Sequence, residues 1–162
     1  MNAIDKFRNT HKCPVDYIEK LPNYSIDVET LINEAKILES LDWIDGSIQK
    51  KISLMHKFKW NDLINSMPCT KSILDDLKKE MPYNSVYYRY VKPNRCYNWH
   101  VDMMHTCLHI PLITNEGCKF VYSDKVFSMP ADGSVYIVNN GIPHTFINSG
   151  ENPRLHITMD IF

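Results

Sequence analysis

The stretch "HTFINSGENPRLHITMDIF" (residues 144–162) decides the fold class, because it holds two β-like runs separated by a turn. The runs are "HTFIN" and "RLHITMDIF", and the intervening "SGENP" is rich in turn-forming residues. Polar and apolar residues alternate in the second run, which predicts a strand with one polar and one apolar face. We therefore expect a sheet whose apolar face packs on another layer and whose polar face lines a cup.

Similar β-rich runs extend back from this stretch to residue 85. The eight runs are "SVYYRYV", "CYNWHVD", "TCLHIPLI", "CKFVYSD", "KVFSM", "SVYIVN", "HTFIN" and "RLHITMDIF". No helix-length segment separates them, so a parallel sheet with helical crossovers is not expected. The pattern favours an antiparallel sandwich or barrel.

The first half of the chain has a helical character. Asp27 is a candidate N-cap, and it precedes an apolar stripe with helical spacing formed by Val28, Leu31, Ile32, Ala35 and Leu38. A second helix is predicted after Thr70 and before Pro82, with an apolar face formed by Ile73, Leu74, Leu77 and Met81. The intervening "SLMHKFKW" (53–60) is a candidate strand.

These patterns predict a mainly β fold with N-terminal helices, of the α+β class. We expect one domain over residues 1–162, with a mostly helical support region at 1–82 and a β core at 83–162.

Charge and cysteine content narrow the function classes. The 18 basic and 19 acidic residues give a net charge of −1, so neither nucleic acid nor a membrane is an expected partner. The five cysteines form no CxxC motif, and the sequence has no signal-like or transmembrane-length apolar run. We expect a cytoplasmic protein with reduced thiols, monomeric or homodimeric, that acts on a small molecule or a peptide.

His100 and Asp102 are candidate metal ligands. They lie two residues apart in the run "CYNWHVD", and a strand would place both side chains on one face. His144 is a candidate third ligand from a distant run. Two imidazoles and one carboxylate on one face suit Fe(II) with positions left open, although zinc or manganese would also fit these atoms. An HxD pair alone is weak support, because such a pair also arises by chance.

Arg154 follows His144 by ten residues, at the start of the last run. A guanidinium can bind a carboxylate through two parallel hydrogen bonds, so Arg154 could hold an acidic ligand in the cup. A surface ion pair with Glu151 or Asp160 is the alternative.

Together these residues resemble the Fe(II)/2-oxoglutarate-dependent dioxygenases. In that superfamily the distal histidine is commonly followed, at the spacing of His144 and Arg154, by the arginine that binds the cosubstrate. The segments "LHIPLITNEGCKF" (108–120) and "NNGIPHTFINSGENPRLHITMDI" (139–161) resemble its aspartyl/asparaginyl β-hydroxylase branch. The resemblance extends over about residues 85–162.

The resemblance implies a double-stranded β-helix, a jelly-roll core of the cupin type, flanked by helices. It implies an oxygenase that uses Fe(II), 2-oxoglutarate and O2, hydroxylates a C–H of a free amino acid or a peptide side chain, and releases succinate and CO2. The residues predicted to hold the metal are His100, Asp102 and His144. The residues predicted to bind 2-oxoglutarate are Arg154, His109 and His156, the last on the same strand face as Arg154.

Two positions bear on this assignment. The branch often has an arginine two residues before the histidine at position 109, and this chain has Cys107. Asp102 supplies the carboxylate that the best-known animal members lack, which resembles microbial relatives that include free-amino-acid hydroxylases. Two alternatives stay open: a non-catalytic cupin-like metal-binding module, and a different metalloenzyme on a cupin barrel.

Overall fold

The structure is a computed structural model that describes residues 13–46 and 48–161. Residues 1–12 of the predicted support region and Phe162 of the predicted last strand lie outside the described residues. The described helices are α1 (Val28–Ala35) and α2 (Pro68–Glu80), with 3₁₀ helices at Lys36–Ser40 and Asp62–Ser66. The described strands are β1 (Ile18–Lys20), β2 (Ile44–Asp45), β3 (Gln49–His56), β4 (Lys59–Trp60), β5 (Tyr83–Val91), β6 (Arg95–Cys96), β7 (Thr106–Ile113), β8 (Cys118–Tyr122), β9 (Val126–Phe127), β10 (Tyr136–Asn139), β11 (His144–Asn148) and β12 (Arg154–Ile161).

Helix α1 begins at the predicted N-cap. The Asp27 carboxylate accepts hydrogen bonds from the Thr30 amide at 3.1 Å and the Thr30 hydroxyl at 2.6 Å. Leu31 and Ala35 of the predicted stripe are buried, and the next stripe position, Leu38, is buried in the 3₁₀ helix that follows. The prediction of an amphipathic helix here is confirmed.

Helix α2 begins at Pro68, slightly earlier than predicted, and a side chain of α1 caps its start. The Glu34 carboxylate accepts hydrogen bonds of 2.7 Å from the amides of Cys69 and Thr70 and from the Thr70 hydroxyl. These amides have no acceptor within their own helix, so the contact joins the two helices and stabilises the start of α2. The helix ends at Glu80, before Pro82, as predicted.

Two antiparallel sheets face each other. The larger has the order β1-β10-β7-β12-β5-β3-β2, with β4 added beside β3, and the smaller has the order β6-β11-β8-β9. Strand β12 lies between β7 and β5 and pairs with both along its whole length. The predicted jelly-roll core flanked by helices is confirmed.

The alternation in β12 separates the two faces of the larger sheet. Leu155, Ile157, Met159 and Ile161 pack in one core cluster with residues of both α-helices, such as Leu31 and Leu74. Burying one side chain of this size contributes about 1.5–3 kcal/mol. The polar residues of β12 point to the other side, where Arg154 lies over the ring of Phe146 of the smaller sheet, 4.3 Å from its centroid. The predicted polar-faced cup therefore lies between the two sheets.

Two local features differ from the expectation. Most of the run "CYNWHVD" is not a regular strand, because only Cys96 belongs to β6 and His100 forms an isolated bridge with His144. The candidate strand 53–60 is a hairpin of β3 and β4. Lys57 and Phe58 between them have positive φ angles of 48° and 68°, as the two central residues of a type I′ turn do.

Strand β3 also changes the view of the first half of the chain. It pairs with β5 in the larger sheet, from Gln49 opposite Val91 onward. The larger sheet therefore contains strands from both sides of residue 82, where the sequence changes from helical to β-rich patterns. Strand β3 of the predicted support region extends the predicted β core.

Candidate metal centre and cosubstrate pocket

Backbone hydrogen bonds bring the three candidate metal ligands together. His144 begins β11, and its amide and carbonyl exchange 3.0 Å hydrogen bonds with those of His100. The Asp102 amide donates to the Asn140 carbonyl at 3.0 Å. One ligand atom each from His100, Asp102 and His144 then lies within 4.8 Å of the others. The sequence predicted that a strand would place the His100 and Asp102 side chains on one face. In the structure, an irregular backbone segment places them together.

The hydrogen bonds of the two histidine rings leave the Nε2 atoms available to a metal. His100 Nδ1 is 2.8 Å from the Asn98 carbonyl, and His144 Nδ1 is 2.9 Å from the Ile142 carbonyl. A carbonyl oxygen only accepts, so each Nδ1 carries the proton and each Nε2 presents a lone pair. Burial lowers the pKa of His144, which favours the neutral form that binds metals.

Asn140 orients the carboxylate of the candidate ligand Asp102, a contact that the sequence did not predict. Its Nδ2 donates to Asp102 Oδ2 at 2.9 Å, while Asp102 Oδ1 is 3.6 Å from His100 Nε2. Such an outer partner restricts the rotation of a ligand carboxylate. Asn140 belongs to the segment "NNGIP" (139–143), whose residue types are typical of a turn and do not indicate a role at a metal site.

The three predicted 2-oxoglutarate-binding residues form one buried cluster. Arg154 Nη2 is 3.1 Å from His109 Nδ1 and 2.6 Å from His156 Nδ1. A guanidinium only donates, so both Nδ1 atoms accept and both rings are neutral. Burial and the Arg154 charge lower the pKa values of His109 and His156 well below the ordinary value, in agreement with this assignment.

Arg154 is a buried cation without a carboxylate partner. Arg154 is only 4% exposed, and burial lowers the pKa of its guanidinium to about 10. Among the described residues, no carboxylate lies within ion-pair distance of it, and its Nε has no hydrogen-bond partner. The alternative of a surface ion pair with Glu151 or Asp160 therefore does not describe this residue. A buried charge of this kind costs free energy unless something supplies the missing acceptor.

A cavity of about 100 Å³ connects this cluster with the three candidate metal ligands. His100, Asp102, His144, Arg154 and His109 all line it. Gln49 of β3 also lines the cavity and was not predicted, because no pattern in one sequence shows that β3 lies beside β5.

The fold and this site define a class of protein. Solved structures with the same fold include an oxidoreductase of the 2OG-Fe(II) oxygenase family from Burkholderia pseudomallei, with a TM-score of 0.67 and 14% identity over 97% of this chain and 86% of the other. A viral collagen prolyl hydroxylase from Paramecium Bursaria Chlorella virus-1, solved with 2OG, has a TM-score of 0.58 and 15% identity over 91% and 96% of the two chains. These likenesses establish the fold of 2OG-Fe(II) oxygenases.

Sequence similarity then identifies the branch. Residues 34–162 match the model of the aspartyl/asparaginyl β-hydroxylase family. The chain belongs to this family, within the Fe(II)/2-oxoglutarate-dependent dioxygenases, and the resemblance inferred from its motifs is confirmed.

A curated relative adds a point of comparison. L-proline cis-4-hydroxylase from Rhizobium meliloti (strain 1021) is 33% identical over 75 residues, which cover 43% of this chain. The matched part spans 26% of that relative's length.

None of the described helices is long and apolar enough to cross a membrane. The cytoplasmic location and the monomeric or homodimeric state stay predictions.

Proposed function

We propose that the protein is an Fe(II)- and 2-oxoglutarate-dependent oxygenase that hydroxylates a C–H of a free amino acid or a peptide side chain, with succinate and CO2 as co-products. The observation that carries the proposal is the buried Arg154 guanidinium, which lacks a carboxylate partner and lines the same cavity as three candidate metal ligands. Family membership and the hydroxylase relative support the same chemistry.

In this proposal His100, Asp102 and His144 hold Fe(II). The donor set fits the metal, because two neutral imidazoles and one carboxylate are the ligands of non-haem Fe(II) oxygenases. The Asn98 and Ile142 carbonyls hold the two rings with Nε2 toward the metal position, and Asn140 holds the carboxylate. Three ligands from one side leave the opposite positions free for other groups.

Arg154 would bind a carboxylate of 2-oxoglutarate. Its hydrogen bonds to His109 and His156 restrict the guanidinium, while Nε and Nη1 have no acceptor among the described residues. A carboxylate fills this unused donor capacity and neutralises the buried charge. His109 and His156 stay neutral, so they position the guanidinium without adding positive charge to the pocket.

The remaining walls of the pocket exclude water. Phe120 stacks on the His144 ring, with centroids 4.9 Å apart, and Phe146 lies against Arg154. When bound, Fe(II) and 2-oxoglutarate supply the oxidising chemistry with O2, and the apolar walls limit its reaction with solvent.

We further propose that the chain forms one domain, since β3 of the first half and β5 of the second are neighbours in one sheet.

The alternative function is a non-catalytic metal-binding module on the same fold. Such a module has no use for Arg154, so the two functions differ in whether 2-oxoglutarate binds.

An anaerobic absorption titration tests the proposal without knowledge of the substrate. Metal-free protein is titrated with Fe(II) and then with 2-oxoglutarate, and we expect a visible charge-transfer band that requires both. Asp102→Ala removes the band, whereas the control Asp76→Ala, at an exposed aspartate of α2, retains it. Tight metal binding without a band would favour the non-catalytic module.

A further inference from the structure

Arg89 is a second guanidinium in the cup, apart from the cluster of Arg154, His109 and His156. It lies on β5 opposite His156 of β12 and lines the same cavity as the metal ligands. Its Nε donates to the Thr158 hydroxyl at 2.9 Å, and its guanidinium lies 5.2 Å from the centroid of the Tyr87 ring. These contacts fix the side chain at its base and leave the two terminal nitrogens directed elsewhere.

Asp160 lies beside Arg89, but the two groups do not form a hydrogen bond. Arg89 Nη2 and Asp160 Oδ1 are 3.9 Å apart, which is beyond hydrogen-bond range. Among the described residues, neither terminal nitrogen of Arg89 has a hydrogen-bond acceptor. Asp160 Oδ1 accepts only a weak hydrogen bond in the described chain, from Cys107 Sγ at 3.8 Å. Arg89 in the cavity wall and Asp160 beside it therefore form a long ion pair whose hydrogen-bonding capacity is largely unused.

Both side chains are mostly withdrawn from water yet accessible. The side chain of Arg89 is 25% exposed and that of Asp160 is 18% exposed. Burial raises the pKa of Asp160 and the Arg89 charge offsets this only in part, so neighbouring groups do not fully compensate the lost hydration. Partial exposure suits a ligand that enters and leaves, whereas Arg154 is almost fully buried.

A free α-amino acid matches this pair of charges. It carries a carboxylate and an ammonium group on the same carbon, whereas a residue inside a peptide carries neither. Arginine binds carboxylates through paired hydrogen bonds, and an aspartate accepts from an ammonium group. A peptide-linked substrate would leave both protein charges without a hydrogen-bond partner from the ligand in a partly desolvated site, and a capped amino acid would leave one of them so, at a cost in binding.

We propose that Arg89 and Asp160 form the substrate subsite for a free α-amino or α-imino acid, with Arg89 binding its carboxylate and Asp160 its ammonium group. This inference rests on the proposed function, because it names the substrate class of the same site.

The test uses protein loaded anaerobically with Fe(II) and 2-oxoglutarate, whose charge-transfer band reports ligands that enter the site. A panel of free L-amino acids, L-proline included, is compared with the amide and the N-acetyl derivative of each member. We expect at least one free acid to shift the band, and each capped form of it to bind about 10- to 100-fold more weakly. Equal binding of the free and capped forms overturns the proposal.

Two variants assign the two charges. Arg89→Gln weakens binding of the free acid but leaves binding of its amide, which has no carboxylate, unchanged. Asp160→Asn weakens binding of the free acid but leaves binding of its N-acetyl form, which has no ammonium group, unchanged. Arg95→Gln is the matched control, because Arg95 is exposed and donates only to the adjacent Asn94 carbonyl. If Arg89→Gln weakens the free acid and the amide equally, Arg89 is structural and the proposal fails.

The failure of this inference is distinguishable from the failure of the proposed function. A band that forms and responds to no free amino acid overturns the substrate class alone. The absence of any band overturns the oxygenase assignment, and the substrate class with it.

Discussion

Glu34 in the helical layer is a half-buried charged side chain and Arg154 in the cup is a buried one, and their surroundings differ. Glu34 accepts three hydrogen bonds of 2.7 Å from the start of α2. Arg154 donates only to two neutral histidines and leaves Nε without a partner. Within the described chain, the carboxylate is fully served by protein groups, and the guanidinium is not.

Under the proposed function, the difference separates a charge that stabilises the fold from one that binds a ligand. Hydrogen bonds from backbone amides recover the hydration that Glu34 loses on burial. Arg154 is more deeply buried than Glu34 and has fewer hydrogen bonds that replace its lost hydration. Its burial therefore lowers the stability of the folded protein until an anion binds. We therefore expect changes in the cup to affect activity, and changes at Glu34 to affect stability.

The largest effect is expected at the metal ligands. His100→Ala and His144→Ala each reduce turnover to background, because two ligands no longer hold Fe(II) on one face. Since the His100 side chain is 36% exposed, His100→Ala should leave the melting temperature close to that of the wild type. Turnover and thermal unfolding are measured on the same preparations. Wild-type rates of 2-oxoglutarate decarboxylation in both variants would contradict the site assignment.

A smaller effect on activity is expected at Arg154. Arg154→Ala raises the 2-oxoglutarate concentration needed for half-maximal turnover by about 10- to 100-fold, the cost of losing a charged hydrogen-bond donor. Arg154→Met keeps most of the volume and removes a buried, underpartnered charge, so its melting temperature should equal or exceed that of the wild type. A clear decrease for Arg154→Met would mean that Arg154 is structural in the way that Glu34 is.

The smallest effect is expected at Glu34, on stability alone. Glu34→Gln removes one acceptor oxygen and lowers the free energy of unfolding by about 1–3 kcal/mol. Turnover at a temperature where the variant is folded should not change. Glu39→Gln, at an exposed glutamate without a hydrogen bond or ion pair in the described chain, serves as the control in denaturant titrations. An equal loss in both variants would show that the cap contributes nothing specific.

The pH dependence of the Glu34 effect follows from the pKa of its carboxyl group. Burial alone would raise this pKa, but the hydrogen bonds from Thr70 and Cys69 lower it below the ordinary value of 4.5. The folded protein therefore holds the proton less tightly than the unfolded chain, and the stabilisation is complete above pH 4.5 and lost as the pH falls through the folded-state value. The difference between wild type and Glu34→Gln should shrink over that range.

Features set by local pattern were predictable from the sequence. The alternation in residues 154–161 separated the two faces of β12, because a strand buried on both sides by different partners keeps a period of two. The Asp27 N-cap and the apolar stripe after it predicted α1, because they too are local patterns in the sequence. Residue type and spacing predicted His100, Asp102 and His144 as metal ligands, and the structure brings their potential ligand atoms together.

Features that depend on which segments are neighbours were not predictable. Gln49 lines the cavity because β3 pairs with β5, and nothing in the local pattern of β3 encodes that partner. Asn140 reaches Asp102 because its turn adjoins the irregular segment after β6, which the sequence suggested to be a strand. Arg89 lines the cavity because β5 lies beside β12, and the local pattern of β5 does not show which face of the sheet is the cup.

The position of β12 in the larger sheet has a consequence for biosynthesis. It is the last strand of the described chain, and it lies between β7 and β5, which are made earlier. A ribosome-bound nascent chain that ends before residue 154 therefore exposes two unpaired strand edges, which are sites for association with other chains. The cup and its arginine can assemble only after synthesis has passed β12, and the long-range pairing predicts slow folding. We expect the protein to be most prone to aggregation, and most dependent on chaperones, in that interval.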